Sequence, residues 1–333
     1  MGSATNLPHL ILLPTSTPHS PTPLFMAPMS RRPKGNPVHG WLILDKPVEM
    51  TSTQAVAVVK RLFNAQKAGH GGTLDPLATG ILPIALGEAT KTMSFAVDGA
   101  KGYRFTVRWG AETTTDDAEG PVARSSEIRP TRAQIEALTT EFIGEIEQVP
   151  PQFSAIKVEG NRAYDLARDG EIVDLKARIV VVDDLRVMDM PDEATTVFEA
   201  DCGRGTYVRA IARDMGRRLG CFGHVIALRR TRVGPFTLDS SVRLDDLKAE
   251  AEEKGVAPLA ALLPVEAALA DLTRIDVAPN DAGRLRRGQS IILRGRDAPL
   301  PGPAFAICRG DLVALGEVER GELLPTRVFN LGG

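Results

Sequence analysis

The sequence predicts a mixed α/β fold with a small β domain at its C-terminus, and three observations carry that prediction. The segment "YRFTVRWG" alternates like a half-buried strand; segments opening at Thr131 and Thr206 have helical periodicity; and after about residue 275 short apolar runs are broken by glycines.

In chain order, Trp41 to Leu44 reads as a short apolar strand, followed by a turn at Lys46-Pro47 and a helix capped by Thr51 or Ser52. "ILPIALG" reads as a buried strand despite Pro83. In "YRFTVRWG", Tyr103, Phe105, Val107 and Trp109 share one face, and Arg104, Thr106 and Arg108 share the other. "TRAQIEALTTEFIGEIEQ" predicts a helix with a capping box at Thr131 and Gln134, burying Ile135, Leu138, Phe142 and Ile146. "VPPQFSAIKVEGNRAYDLARDG" starts as a proline-stiffened loop and ends helical. From Thr206 to Leu219 a helix is expected to bury Tyr207, Ile211, Met215 and Leu219 and to turn Arg209, Arg213 and Arg217 toward an anion. "SIILRG", "AFAICRG" and "LVALGEVERGELLP" form the C-terminal β texture.

A chain of 333 residues, 43% hydrophobic and 25% charged, can bury a full core. Residues 1–35 are the exception: no charge occurs before Arg31 and prolines recur, so this tail is expected to be unfolded, with Met26 and Met29 as alternative starts. Its uncharged beginning does not fit a signal peptide, and no later stretch is apolar enough for a membrane helix, which points to the cytoplasm. The three cysteines, Cys202, Cys221 and Cys308, have no CxxC spacing and read as reduced thiols.

The net charge of −2 conceals local concentration. Between Arg204 and Arg232 eight arginines face one acid, Asp214, while acidic residues gather at 112–119 and 250–253. Such a basic stretch suits a nucleic-acid partner, although a solvated helix gives the same count.

Familiar catalytic motifs are missing. There is no P-loop, GxGxxG, GxSxG or HExxH, and two of the five histidines lie in the tail, so neither a nucleotide cradle nor a metal site is indicated. What stands out is "GHGGTLDPLATG", where Asp75 sits between a glycine turn and Pro76. Pro76 restricts the backbone of Asp75, and Gly69, Gly71 and Gly72 allow close approach of another chain or ligand. A positioned catalytic carboxylate fits this frame, and so does a simple cap for the segment that follows.

The segments "GWLILDKP", "GHGGTLDPLATGILPIALGEATK", "KGYRFTVRWG", "TTTDDAEG", "VPPQFSAIKVEGNRAYDLAR", "GRGTYVRAIARDMG" and "HVIALRRTRVGPF" occur in this order. Together they resemble the TruB family of pseudouridine synthases over roughly residues 37 to 240. The resemblance implies the pseudouridine synthase fold, of α+β type, with a mixed, mainly antiparallel sheet in a catalytic domain at 36–274. It further implies a thumb-like RNA-gripping segment at about 149–175 and a PUA-like RNA-binding domain at 275–333. The implied activity is isomerisation of uridine 55 in the T loop of tRNA, without cofactor or metal, by a monomer that needs no guide RNA or obligate protein partner. A grip on the T arm also suits assistance to tRNA folding.

By the same resemblance Asp75 is the catalytic aspartate and Arg209 its buried cationic partner. His70, Tyr103, Tyr207 and Leu228 would contact the flipped uridine or the RNA beside it. Lys46 and Gly72 are structural residues near the site. Lys157, Arg162, Arg168, Arg229 and Arg230 are candidates for the RNA backbone, and Arg232 lies beside them. The chain departs from the family pattern at Glu49, where glycine is usual, and at Gly203, where serine is more usual; Glu49 puts the local turn in question.

Overall fold

The computed structural model describes residues 1–2, 35–154, 156–158, 161–162, 174–293 and 299–331. Most of the N-terminal tail, the expected helix at the end of the 149–175 segment, and Arg168 lie outside them.

The strands of the larger part are β1 (Gly40–Lys46), β2 (Ala68–His70), β3 (Thr79–Leu86), β4 (Lys101–Trp109), β5 (Ala111–Thr113), β6 (Val122–Ser125) and β7 (Gly144–Gln148). They continue with β8 (Lys157–Val158), β9 (Asn161–Arg162), β10 (Arg178–Asp192), β11 (Thr195–Cys202), β12 (Gly223–Val233), β13 (Phe236–Thr237) and β14 (Val242–Arg243). The C-terminal strands are β15 (Thr273–Asp276), β16 (Ile291–Ile292), β17 (Gly302–Cys308), β18 (Asp311–Glu319) and β19 (Glu322–Val328). The described helices are α1 (Ser52–Leu62), α2 (Met93–Asp98), α3 (Arg132–Thr139), α4 (Val208–Arg218), α5 (Leu244–Lys254) and α6 (Pro279–Arg286).

One sheet runs in the order β14, β1, β3, β12, β4, β11, β10, β7, with β2 beside β3 and β13 beside β12. Its pairings are antiparallel except β1 with β14 and β3 with β12. β4 follows its pattern: Phe105, Val107 and Trp109 are buried while Arg104 and Arg108 are exposed. β1 reads as a continuous apolar run because it is covered on both faces. Leu42 and Leu44 join the core beneath α1 and α4, whereas Trp41 and Ile43 join a second cluster with Phe236, Phe305, Ile307 and Phe329. That second cluster packs the five-stranded C-terminal sheet, ordered β15, β17, β18, β19, β16, onto the larger one.

The structure corrects the helix expected to run from Thr131 through Ile146. The capping box at Thr131 forms, but α3 ends at Thr139 and a short 3-10 turn follows. Gly144 at φ 95° then leaves the helical region, so Ile146 belongs to edge strand β7. Its four-residue spacing from Phe142 continues the helical pattern only by coincidence. The helix α6 breaks the expected all-β texture of the tail. All three cysteines are buried free thiols, and burial pushes Cys202 up to about 12. No described helix is long and apolar enough to cross a membrane.

Candidate active site

The loop from Gly69 to Ala78 is stiff because other elements clamp its carbonyls and amides. Ser52, which opens α1, donates from Oγ to the Leu74 carbonyl at 3.1 Å and accepts from the Leu74 N–H at 2.8 Å. Arg230 on β12 donates to the carbonyls of Thr73 at 3.2 Å, Gly72 at 3.0 Å and Ile81 at 2.8 Å. Lys46, fully buried at the end of β1, donates to the carbonyls of Pro47 and Met50, both at 2.7 Å, and Pro76 at 3.4 Å. Gly72 has φ 107°, a backbone shape that favours glycine where its carbonyl meets Arg230. Asp75 is thereby fixed at a known point while its carboxylate stays one-third exposed.

Into this frame α4 delivers Arg209 from its first turn. The guanidinium is 4% exposed; its Nη2 lies 2.9 Å from Asp75 Oδ2 and its Nη1 3.3 Å from Asp117 Oδ2. It also donates to the carbonyls of Thr115 at 2.8 Å and Phe153 at 2.9 Å. One turn on, Arg213 pairs with Asp116 at 3.0 Å and with Asp214 at 2.8 Å. Another turn on, Arg217 takes Glu112 at 2.7 Å. The arginine face therefore does meet anions, and they are the protein's own acids: Asp75, Asp214 and those at 112–117. This corrects the separation of basic and acidic stretches read from the linear charge count.

The pairing continues along the basic stretch: Arg204 meets Asp98, Arg218 meets Glu141, Arg229 meets Asp45 and Arg232 meets Asp201. Arg229 and Arg230, expected as backbone-phosphate contacts, each have partners within the protein. Arg229 holds both oxygens of Asp45, at 3.0 and 2.7 Å. Arg230 is 2% exposed and committed to three carbonyls and the Tyr103 phenol. Lys157 and Arg162 face each other in register across β8 and β9, and their side chains are not among those described.

The electrostatics show which predicted residues share a neighbourhood. Burial pushes the Lys46 ammonium down to about 8, opposed by the nearby Asp75 carboxylate. Burial also pushes the Tyr103 phenol up, with Arg230 pulling the other way and Asp75 adding to the rise. Tyr103 lies opposite Arg230 in the β4–β12 register, so the phenol and guanidinium meet across two neighbouring strands. Leu228, 8% exposed, lies two residues before Arg230, with its carbonyl 3.5 Å from Thr79 Oγ1. His70 ends β2, opposite Ile84. Tyr207 is the N-cap of α4, extended at φ −107°, two residues before Arg209. Among the described residues no cluster of His, Cys, Asp or Glu is placed to hold a metal ion.

Comparison with known proteins now decides the family. Residues 60–208 match the TruB family pseudouridylate synthase N-terminal domain, and residues 209–270 the tRNA pseudouridylate synthase B C-terminal domain. The chain is 57% identical over 330 residues to the tRNA pseudouridine synthase B of Bradyrhizobium diazoefficiens, covering 96% of each. It is 59% identical over 300 residues to that of Nitrobacter winogradskyi, covering 89% of this chain and 84% of the relative. The chain belongs to the TruB family of pseudouridine synthases. Among solved structures, a Cbf5-Nop10-Gar1 complex aligns with a TM-score of 0.66 at 26% identity, over 87% of this chain and 84% of that one. The fold expected from the sequence is thus the fold observed.

At Glu49 and Gly203, where the resemblance led to the expectation of glycine and serine, the backbone shows how each residue is accommodated. Glu49 adopts φ 63°, the left-handed conformation that glycine takes without penalty, and its N–H still donates to Pro76 at 3.0 Å. The turn survives with glutamate in a glycine's conformation. Gly203 has room for a side chain, since an added Cβ would meet Val181 at 3.4 Å. Sequence reading missed Ser52, Asp117 and Asp116 as site residues. The available signal was the acid run in "TTTDDAEG" set against arginines spaced four apart on α4.

Proposed function

We propose that this TruB family chain isomerises uridine 55 in the T loop of tRNA to pseudouridine, with Asp75 as its catalytic carboxylate and Arg209 as the cation that holds it. The observation that carries this reading is the 2.9 Å contact between a buried arginine and a part-exposed aspartate on a clamped loop. As a pseudouridine synthase the chain needs no second carbon substrate. The bond from C1′ to N1 breaks, the uracil turns, and C5 joins C1′; the proton leaving C5 is balanced by the one gained at N1. One carboxylate suffices, either attacking the nucleoside or taking a sugar proton.

Arg209 does two things for that carboxylate. It offsets the cost of keeping a negative charge in a partly apolar site, and it fixes which oxygen points outward. Asp117 and two carbonyls hold Arg209 in turn. The uridine must leave the T-loop stack to reach Asp75, and Tyr103, Tyr207, His70 and Leu228 supply the surfaces expected to receive it. Lys46 and Arg230 keep the loop in place beneath.

Action on tRNA without guide RNA is favoured by the relatives, at 57% identity to a tRNA pseudouridine synthase B against 26% to a chain of a Cbf5-Nop10-Gar1 complex; a cytoplasmic monomer belongs to the same reading. The C-terminal residues 275–333 are read as the second RNA-contacting domain, and assistance to tRNA folding would follow from the same grip. The test is carbodiimide mapping of an unmodified tRNA transcript after incubation with the protein alone. A reverse-transcription stop at uridine 55 supports the reading; a stop elsewhere, or none without added guide RNA or protein, overturns it.

A further inference from the structure

Tyr207 opens α4 without any side-chain cap of its own, in an extended conformation that joins a glycine-rich turn to the helix carrying Arg209. Its geometry is set from the neighbouring sheet edge. Gln148, 1% exposed at the end of β7, accepts from the Tyr207 N–H at 2.8 Å and donates to the Tyr207 carbonyl at 3.2 Å. Arg178, the first residue of β10, is the direct register partner of Gln148. Its guanidinium stands 5.3 Å from the centroid of the Tyr207 ring and donates through Nη2 to the carbonyl of Gly205 at 3.2 Å. Gly205 has φ 88°, so the turn before Tyr207 is in a conformation that favours glycine at the point where Arg178 holds it.

Arg178 differs from the ion-paired arginines of the basic stretch. Among the described residues it has no carboxylate partner, and its buried Nε has no hydrogen-bond partner. A half-buried guanidinium in that situation gains from lying over an aromatic face. The pair Gln148 and Arg178 therefore grips one residue twice, by its peptide groups and by its ring.

We infer that Arg178, with its cross-strand partner Gln148, is a positioning residue that sets the Tyr207 ring for the flipped uridine. The inference rests on the reading of Tyr207 as a residue that receives the base. A ring without this support would still fold into place at the head of α4 and would sample other rotamers, which slows a step needing close alignment. The loss belongs in the turnover of bound tRNA rather than in its binding.

A double-mutant cycle tests this. Single-turnover release of tritium from 5-tritiated tRNA is measured at saturating protein for wild type, Arg178→Met, Tyr207→Ala and the double variant, with tRNA affinity and thermal unfolding recorded for each. Arg178→Met should slow turnover about 10-fold, with affinity held within about 2-fold, and should add almost nothing once Tyr207 is alanine. Arg178→Lys, which keeps the charge and loses the flat face, should be slowed as well. Full additivity, rescue by lysine, or a loss confined to affinity would overturn the positioning role. If Tyr207→Ala alone turns over at the wild-type rate, the failure lies in the reading of Tyr207 itself, and the positioning role falls with it. Should Arg178→Met fail to fold, Gln148→Glu takes its place in the same cycle, because it removes the donor to the Tyr207 carbonyl while preserving shape.

Discussion

Arg209 joins Asp75 to Asp117: one guanidinium, 4% exposed, reaches the first carboxylate at 2.9 Å and the second at 3.3 Å. Asp117 is itself buried, with Oδ1 accepting from Thr115 and from the Glu119 N–H. Removing the cation leaves a buried acid without its counter-charge. Arg209→Met should cost about 3–5 kcal/mol of stability in urea unfolding and abolish turnover. Arg209→Lys should recover part of the stability, since a single ammonium cannot reproduce four directed contacts, and little of the turnover. Unchanged stability in the methionine variant would contradict this account of the pair.

Arg230 lies under the loop, and its variants separate a structural role from an RNA contact. A phosphate contact would reveal itself as a salt slope of tRNA affinity reduced by about one in the variant. Arg230→Lys should leave that slope unchanged and should lower the unfolding temperature, because the carbonyls of Gly72, Thr73 and Ile81 lose a shared donor. A reduced slope with unaltered stability would restore the phosphate role.

What the sequence made legible was local. The alternation of "YRFTVRWG", the capping box at Thr131 and the burial of Ile211 and Met215 on α4 depend on neighbours within a few residues and appear in the structure, whereas Tyr207 caps α4 and, like Leu219, is only half-buried. Misreadings came where distant segments meet. Arg209, Arg213 and Arg217 were expected to meet an anion, but the identity of Asp117, Asp116 and Glu112 as partners was hidden because those acids lie far away in the chain. Arg230 looked like a surface cation because nothing in "LRRTRV" shows that alternate positions on β12 turn inward onto Tyr103 and the loop carbonyls. Asp75 and its frame were legible through family resemblance and much less through the residues alone, since an Asp-Pro flanked by leucines is also an ordinary turn.

Asp116 links stability to pH. Burial pushes its carboxyl up to about 6, against the attraction of Arg213, whereas the unfolded chain titrates near 3.8. The folded state therefore keeps a proton that the unfolded state releases, and this group's contribution to stability falls as pH rises from about 4 to about 6. Asp116→Asn has no such proton to keep. The stability of wild type relative to Asp116→Asn should decline by up to about 3 kcal/mol across that window in urea titrations at matched ionic strength. A constant difference, or one that grows with pH, would show that Arg213 dominates instead.

Glu49 carries strain that a glycine would not. With φ at 63° and no hydrogen bond or ion pair to its side chain among the described residues, Glu49→Gly should raise stability by up to about 1 kcal/mol, the left-handed penalty less the entropy of a freer unfolded chain. Turnover should be retained, because the Glu49 N–H to Pro76 bond needs only the backbone. A clear loss of stability would mean that the glutamate side chain has a role of its own.

The most direct measurement is tritium release from tRNA carrying 5-tritiated uridine, comparing wild type with Asp75→Asn under identical tRNA saturation. Asparagine keeps the size of the side chain and removes the charge that attacks or deprotonates the nucleoside. Wild-type protein should release about one equivalent per tRNA. The variant should release none while still binding tRNA. Release by Asp75→Asn at the wild-type rate would contradict Asp75 as the catalytic carboxylate.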